Sequence, residues 1–178
     1  MDTETISLTD RTCIGIGIQV TENEGFYVQL LPEPSPLVPL VLQLLPDVRI
    51  NKLYHNSAYD LDVLGELAKE YNQPAPDNTN IHDTMLMAHV QGLPNGLYEL
   101  GTDILGYTNL FEIGTLLKHY KAKTMLEVPL QEVATKCLND VKITFNVYPK
   151  LQNFPDQQCA DCYEVKRQLI PVLQKMCN

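Results

Sequence analysis

Asp2-Thr3-Glu4 sets two carboxylates one residue apart at the start of the chain, Asp60 closes the run Asn56-Ser57-Ala58-Tyr59-Asp60, and Asp140 lies in a stretch of helical apolar spacing. In an extended segment alternate side chains share a face, so Asp2 and Glu4 point the same way and can grip the same divalent cations. Asp60 adds a carboxylate from the first turn of a helix and Asp140 one from a later helix. Such an all-oxygen set suits Mg²⁺ or Mn²⁺ rather than zinc. Two ions about 4 Å apart stabilise the attacking and leaving oxygens of an in-line phosphodiester displacement. A lone D-x-E carries little information, since carboxylates mostly lie on solvated faces. The conjunction of the four is what points to this chemistry.

The elements that must position these residues follow from periodicity. Residues 13–20 alternate, with Ile14, Ile16, Ile18 and Val20 on one face and Gly15, Gly17 and Gln19 on the other, which predicts a strand. No third glycine completes a dinucleotide fingerprint and no helix follows, so the two glycines read as small residues on a strand face. Residues 26–31 predict its hairpin partner across a turn at Asn23-Glu24-Gly25. Pro32, Pro34, Pro36 and Pro39 then mark a loop before a short apolar helix over 41–45, and residues 48–54 predict the next strand.

Asn56 suits either the N-cap of the helix that carries Asp60, Leu61, Leu64 and Leu67 or a functional role. After a loop at Pro74, Pro76 and Asn78, residues 83–90 read as helical, and a turn at Pro94-Asn95-Gly96 leads into a short helix that ends at Gly106. The last strong helix spans 130–148. Its apolar positions leave Lys136 and Asp140 as i,i+4 neighbours, expected on one exposed side. Strands before helices, and helices after, indicate a mixed α/β layer fold.

The chain has 178 residues, enough for one domain with a real core, and a formal net charge of −9. That charge argues against tight autonomous binding to nucleic acid, because Lys and Arg supply most non-specific affinity; bound metal would cancel part of it. The densest basic stretch, Lys118-His119-Tyr120-Lys121-Ala122-Lys123, reads as a phosphate contact or a solvated turn. No apolar run of about 18 residues and no signal peptide is present, so a soluble intracellular protein is expected. Five cysteines, at 13, 137, 159, 162 and 177, form no disulfide framework, and the single C-x-x-C at Cys159 and Cys162 has no matching ligand pair.

With the pieces in this order, the chain resembles the 3′-5′ exonuclease (proofreading) domain of family A DNA polymerases, the bacterial DNA polymerase I type. Asp2-Thr3-Glu4-Thr5-Ile6-Ser7-Leu8 is similar to the family's first motif, residues 56–60 to its second, and Asp140 to the aspartate of its third. Asp83-Thr84-Met85-Leu86 and Leu97-x-x-Leu100 also fall where the family has similar residues. The stretch from Tyr163-Glu164-Val165 through 169–173 to Met176 resembles the junction to a polymerase domain. The resemblance therefore implies an exonuclease domain over 1–152 and a junction segment over 153–178.

What the resemblance implies is a ribonuclease H-like mixed sheet flanked by helices, of the DEDD exonuclease type. Asp2, Glu4, Asp60 and Asp140 would ligate two divalent metal ions, Mg²⁺ or Mn²⁺, and terminal nucleoside 5′-monophosphates would be released from single-stranded or frayed DNA 3′ ends. Leu8 would pack against the terminal base, Thr5 would lie beside the 3′ end, and Asn56 would help orient the second motif; ordinary core packing is the other reading of Leu8. A polymerase domain in the same or a separate chain would be the partner, and the cytoplasm of a bacterial or phage-infected cell the setting. Ribonuclease D-like exoribonucleases share the carboxylates but lack the junction, which favours DNA over RNA.

Two departures stand against the family pattern. The third motif reads Y-x-x-x-D in the family, its tyrosine helping to orient the nucleophilic water, and here that position is Lys136. An ammonium has donors and no acceptor, so reduced or altered catalysis is expected, with a catalytically weak structural or DNA-binding module as the alternative function. The family also places several apolar residues before D-x-E, where this sequence has Met1 alone. A first strand cut short is expected to leave unpaired backbone and an apolar gap, as in a fragment of a longer product or a fold completed by another chain.

Overall fold

A computed structural model describes residues 1–108 and 112–177, with side chains as far as Val172. The side chains of Leu173, Met176 and Cys177 lie outside those described. Five strands and seven α-helices are described: β1 Asp2–Thr5, β2 Cys13–Thr21, β3 Glu24–Gln29, α1 Val38–Leu44, β4 Lys52–Tyr54, α2 Ser57–Glu70, β5 Ile81–Asp83, α3 Thr84–Val90, α4 Leu97–Leu105, α5 Ile113–Tyr120, α6 Leu130–Leu151 and α7 Gln157–Cys177. The chain forms the expected mixed α/β layers. β1, β2 and β3 make an antiparallel sheet in that order, and β4 pairs with β5 in parallel, with α2 as the crossover such a pairing requires.

The central contact is that of α6 with the first sheet. A Cβ at Gly17 would stand 2.6 Å from Cys137 Sγ and 3.1 Å from a Val141 methyl. Gly17 therefore sets how near the helix lies to β2, and with it how near Lys136 and Asp140 come to the strand that carries Asp2 and Glu4. Ile16 and Ile18 join the core with Val28, Leu42 and Leu64, whereas Ile14 joins a separate cluster with Leu116, Met125 and Val133. Val20 is exposed, so the predicted apolar face of β2 does not run its full length.

Strand β1 pairs with β2 on one side, and toward β4 the Met1 ammonium donates to the Leu53 carbonyl at 2.6 Å. Between Ile18 to Val20 of β2 and residues 51–53 lies a cavity of about 330 Å³, also lined by Met1, Leu45, Val141 and Phe145.

Several boundaries differ from the sequence reading. The strand predicted over 48–54 is confined to Lys52–Tyr54, because Asp47 folds the preceding residues into a turn: its side chain accepts from Arg49 N and its carbonyl from Ile50 N. β5 was not predicted, its three residues being too few for a periodicity to show. Nor were α5 and α7. The basic stretch 118–123 is the last turn of α5 and its left-handed cap at Lys121. Helix α7 packs on α3 and β5, with Tyr163 and Ile170 buried.

Asn56 is not the side-chain cap of α2. It adopts a left-handed conformation, φ 68°, and makes no capping bond, a geometry asparagine tolerates better than most residues. The cap is supplied across the sheet by Asp83, whose carboxylate accepts from Asn56 N at 3.2 Å, Ser57 N at 2.7 Å and Ser57 Oγ at 2.7 Å. The same carboxylate caps α3, accepting from Met85 N and Leu86 N. One buried side chain thus starts two helices. Asp83→Ala would leave several buried donors without partners, a loss of about 3 kcal/mol. Urea unfolding is expected to show a lower midpoint, with Asp83→Asn intermediate.

Candidate active site

Asp2, Glu4, Asp60 and Asp140 line one cavity of about 590 Å³, together with Thr5, Leu8, Asn56, Tyr98 and Lys136. β1 presents Asp2 and Glu4, the first turn of α2 presents Asp60, and α6 presents Asp140. All eight residues singled out in the sequence are brought to this cavity. Leu8 is 77 % exposed at its rim, so core packing is excluded as its role. Thr5 Oγ1 shares a 2.7 Å hydrogen bond with Tyr59 Oη and donates to the Ser7 carbonyl. The Arg11 guanidinium stacks over the Tyr59 ring and pairs with Asp62.

Lys136 and Asp140 do not lie on an exposed side. Their side chains are 13 % and 8 % exposed, because the face of α6 that Cys137 and Val141 press toward β2 carries its two neighbours beneath β1 and α4. Lys136 Nζ donates to Glu4 Oε1 at 2.8 Å and to Asp140 Oδ2 at 2.7 Å. The other oxygen of Asp140, Oδ1, accepts from Tyr98 Oη at 2.6 Å. Asp60 Oδ1 accepts from Thr3 N at 2.8 Å and Thr3 Oγ1 at 2.7 Å, which ties the second motif to the first.

Sequence reasoning missed Thr3, Tyr98 and Cys137. The first lies between the two acidic residues of D-x-E, so its hydroxyl was open to notice; Tyr98 and Cys137 carried no local signal, because their contacts are 42 and 135 residues away along the chain. Cys137 Sγ lies 3.6 Å from Asp2 Oδ2. Burial and the neighbouring acidic groups push its thiol well up, so the protonated sulfur donates toward Asp2.

Asp2, Glu4 and Cys137 offer ligand atoms within 4.8 Å of one another; the two carboxylates suit hard cations and the sulfur does not, and Asp60 and Asp140 line the neighbouring cavity. Among the described residues six acidic side chains line the cavity, Glu99 and Glu112 being the other two, against Lys136 as the one lysine or arginine. A phosphodiester would meet net repulsion there without added positive charge. Burial opposes the Lys136 charge, but Glu4, Asp140 and Asp2 outweigh it and hold the ammonium well above the usual lysine range. His55, held between Thr84 Oγ1 and the Asn95 carbonyl, is lowered chiefly by burial.

A first-strand carboxylate pair, a carboxylate at the start of the helix after β4 and another from a late helix, on a ribonuclease H-like α/β layer, define a nuclease-type domain. The family model described as 3′-5′ exonuclease, of the DNA polymerase A type, matches residues 1–154. The chain belongs to that family. No curated protein matches it. Among the described residues no helix is long and apolar enough to cross a membrane.

Burial raises the Asp2 carboxyl to about 6 and that of Glu4 to about 7. Both native values exceed the unfolded ones, so the folded state holds extra protons, and this contribution to stability is lost as pH rises from about 4 through about 7. With divalent ions chelated, Tm is expected to fall between about pH 5.5 and about pH 8. Mn²⁺ should raise Tm more at the higher pH, since protons compete for the same oxygens.

Proposed function

We propose that this domain is a 3′-5′ exodeoxyribonuclease that removes nucleoside 5′-monophosphates from single-stranded or frayed DNA ends. The observation that carries the reading is the convergence of Asp2, Glu4, Asp60 and Asp140, from three distant segments, on one cavity that also has Leu8 at its rim. Divalent ions held by these carboxylates, Mg²⁺ or Mn²⁺, would supply Lewis acidity and offset the charge on the attacking and leaving oxygens.

The chain's own residues would do the rest. Exposed Leu8 would pack against the terminal base, while Thr5, anchored by Tyr59, and Asn56 would line the path of the 3′-terminal nucleotide. Water would add to the terminal phosphorus as the bond to the preceding 3′ oxygen breaks, leaving a 3′ hydroxyl on the shortened strand. Tyr98 would keep Asp140 oriented from α4, a hydroxyl contact made from outside the third motif. The proofreading role, and residues 153–178 as a junction to a polymerase domain, rest on the family resemblance. The net charge of −9 is consistent with strand delivery by such a partner.

A second reading, a catalytically weak module that serves a polymerase as a structural or DNA-binding part, is favoured by one observation: the Lys136 ammonium bridges Glu4 and Asp140. Digestion of a 5′-labelled single-stranded DNA oligonucleotide with Mg²⁺ or Mn²⁺ separates the two. A ladder of shortened products is expected, reduced by roughly 10²–10³ in Asp140→Ala, the scale for losing one preorganised electrostatic group. Absence of products from the folded chain, with recovery in Lys136→Tyr, would establish the second reading. A single-stranded RNA of the same sequence tests the ribonuclease D-like alternative and is expected to be cut more slowly.

A further inference from the structure

Taking the cavity as a divalent-cation site, as proposed above, we infer that the Lys136 ammonium holds the place of one of the two ions. The folded chain would then bind a single divalent ion on the Asp2 and Asp60 side, and a second only when Lys136 withdraws. Nζ lies 2.8 Å from Glu4 Oε1 and 2.7 Å from Asp140 Oδ2, between carboxylates from two elements that have no other cation near them among the described residues. Asp2 and Asp60, by contrast, make no ion pair within 4 Å among the described residues, the Met1 ammonium acting on both, and Lys136 on Asp2, from farther away.

The seat is built rather than incidental. Lys136 stands one helical turn before Asp140, its side chain is largely buried, and Gly17 sets the approach of α6 to the sheet. Tyr98 Oη and Lys136 Nζ together occupy both oxygens of Asp140. A protonated amine offers three donors and no lone pair, so it cannot join a metal's ligands. At such range it repels a divalent ion, and the two exclude each other. Lys136 would thereby keep the acidic cavity folded in the absence of metal and raise the metal concentration needed for full loading.

Mn²⁺ uptake by the metal-free chain, followed by the paramagnetic resonance signal of free Mn²⁺ and without DNA, tests this. The expected result is one tightly held ion in the wild type and two in Lys136→Gln and Lys136→Met, the second ion binding at least about tenfold more weakly in the wild type, a 1.4 kcal/mol difference. Without metal both variants should melt below the wild type, and Mn²⁺ should close the gap. Two ions in the wild type with the affinity seen in the variants would overturn the inference, as would variants that stay at one ion. Should the variants fail to fold without metal, two tight ions in the wild type alone would overturn it. DNA digestion reads the functional proposal separately: an uptake change without cleavage would retain the inference and reject the nuclease, and cleavage without an uptake change would do the reverse.

Discussion

Like charges gathered in a poorly solvated cavity must be compensated before a chain can fold around them. Glu4 and Asp140 are buried and Asp2 is half-buried beside them, and two unit charges 4 Å apart repel by about 4 kcal/mol at an effective dielectric constant of 20. The compensation comes from inside the chain. Lys136 lies against two of these carboxylates, the Thr3 amide and hydroxyl hold Asp60, Tyr98 holds Asp140, and the remaining cost is relieved by raised proton affinity at Asp2 and Glu4. No buried side-chain nitrogen or oxygen among the described residues lacks a partner.

That compensation explains why the surrounding elements lie where they do. α6 must come close to β2 for Lys136 to reach Glu4 on β1, and Gly17 removes the side chain that would block it. α2 must start under β1 for Asp60 to meet Thr3, and Asp83 fixes its start by taking the amide hydrogens that Asn56, in its left-handed conformation, does not cap. α4 must cross α6 for Tyr98 to meet Asp140. The helix with the strongest sequence signal, α6, serves as the common reference: it packs on β1, β2, β3 and α4.

By the resemblance Lys136 stands where the family has a tyrosine, and the two side chains differ in more than one contact. A phenol can donate or accept and is neutral near neutral pH; an ammonium brings a full charge and donors only. In this cavity that charge is paired with Glu4 and Asp140. A tyrosine hydroxyl does reach Asp140, but it is that of Tyr98, from a different helix. The cavity therefore gathers four carboxylates around one buried ammonium.

The sequence by itself determined the strand hairpin, the Asp60 helix and the long Asp140 helix, because alternation and helical spacing are local properties that nearest neighbours enforce. It also determined the family, through motifs that are contiguous along the chain. Tertiary structure alone decided that Lys136 and Asp140 are buried, that Asp83 rather than Asn56 caps the Asp60 helix, that residues 48–50 form a turn, and that Tyr98, Thr3 and Cys137 face the site. Each of these depends on partners dozens of residues away, and solvent exposure on a helix face is set by what packs against it. Periodicity can say which residues share a face; only the packed fold says what that face meets.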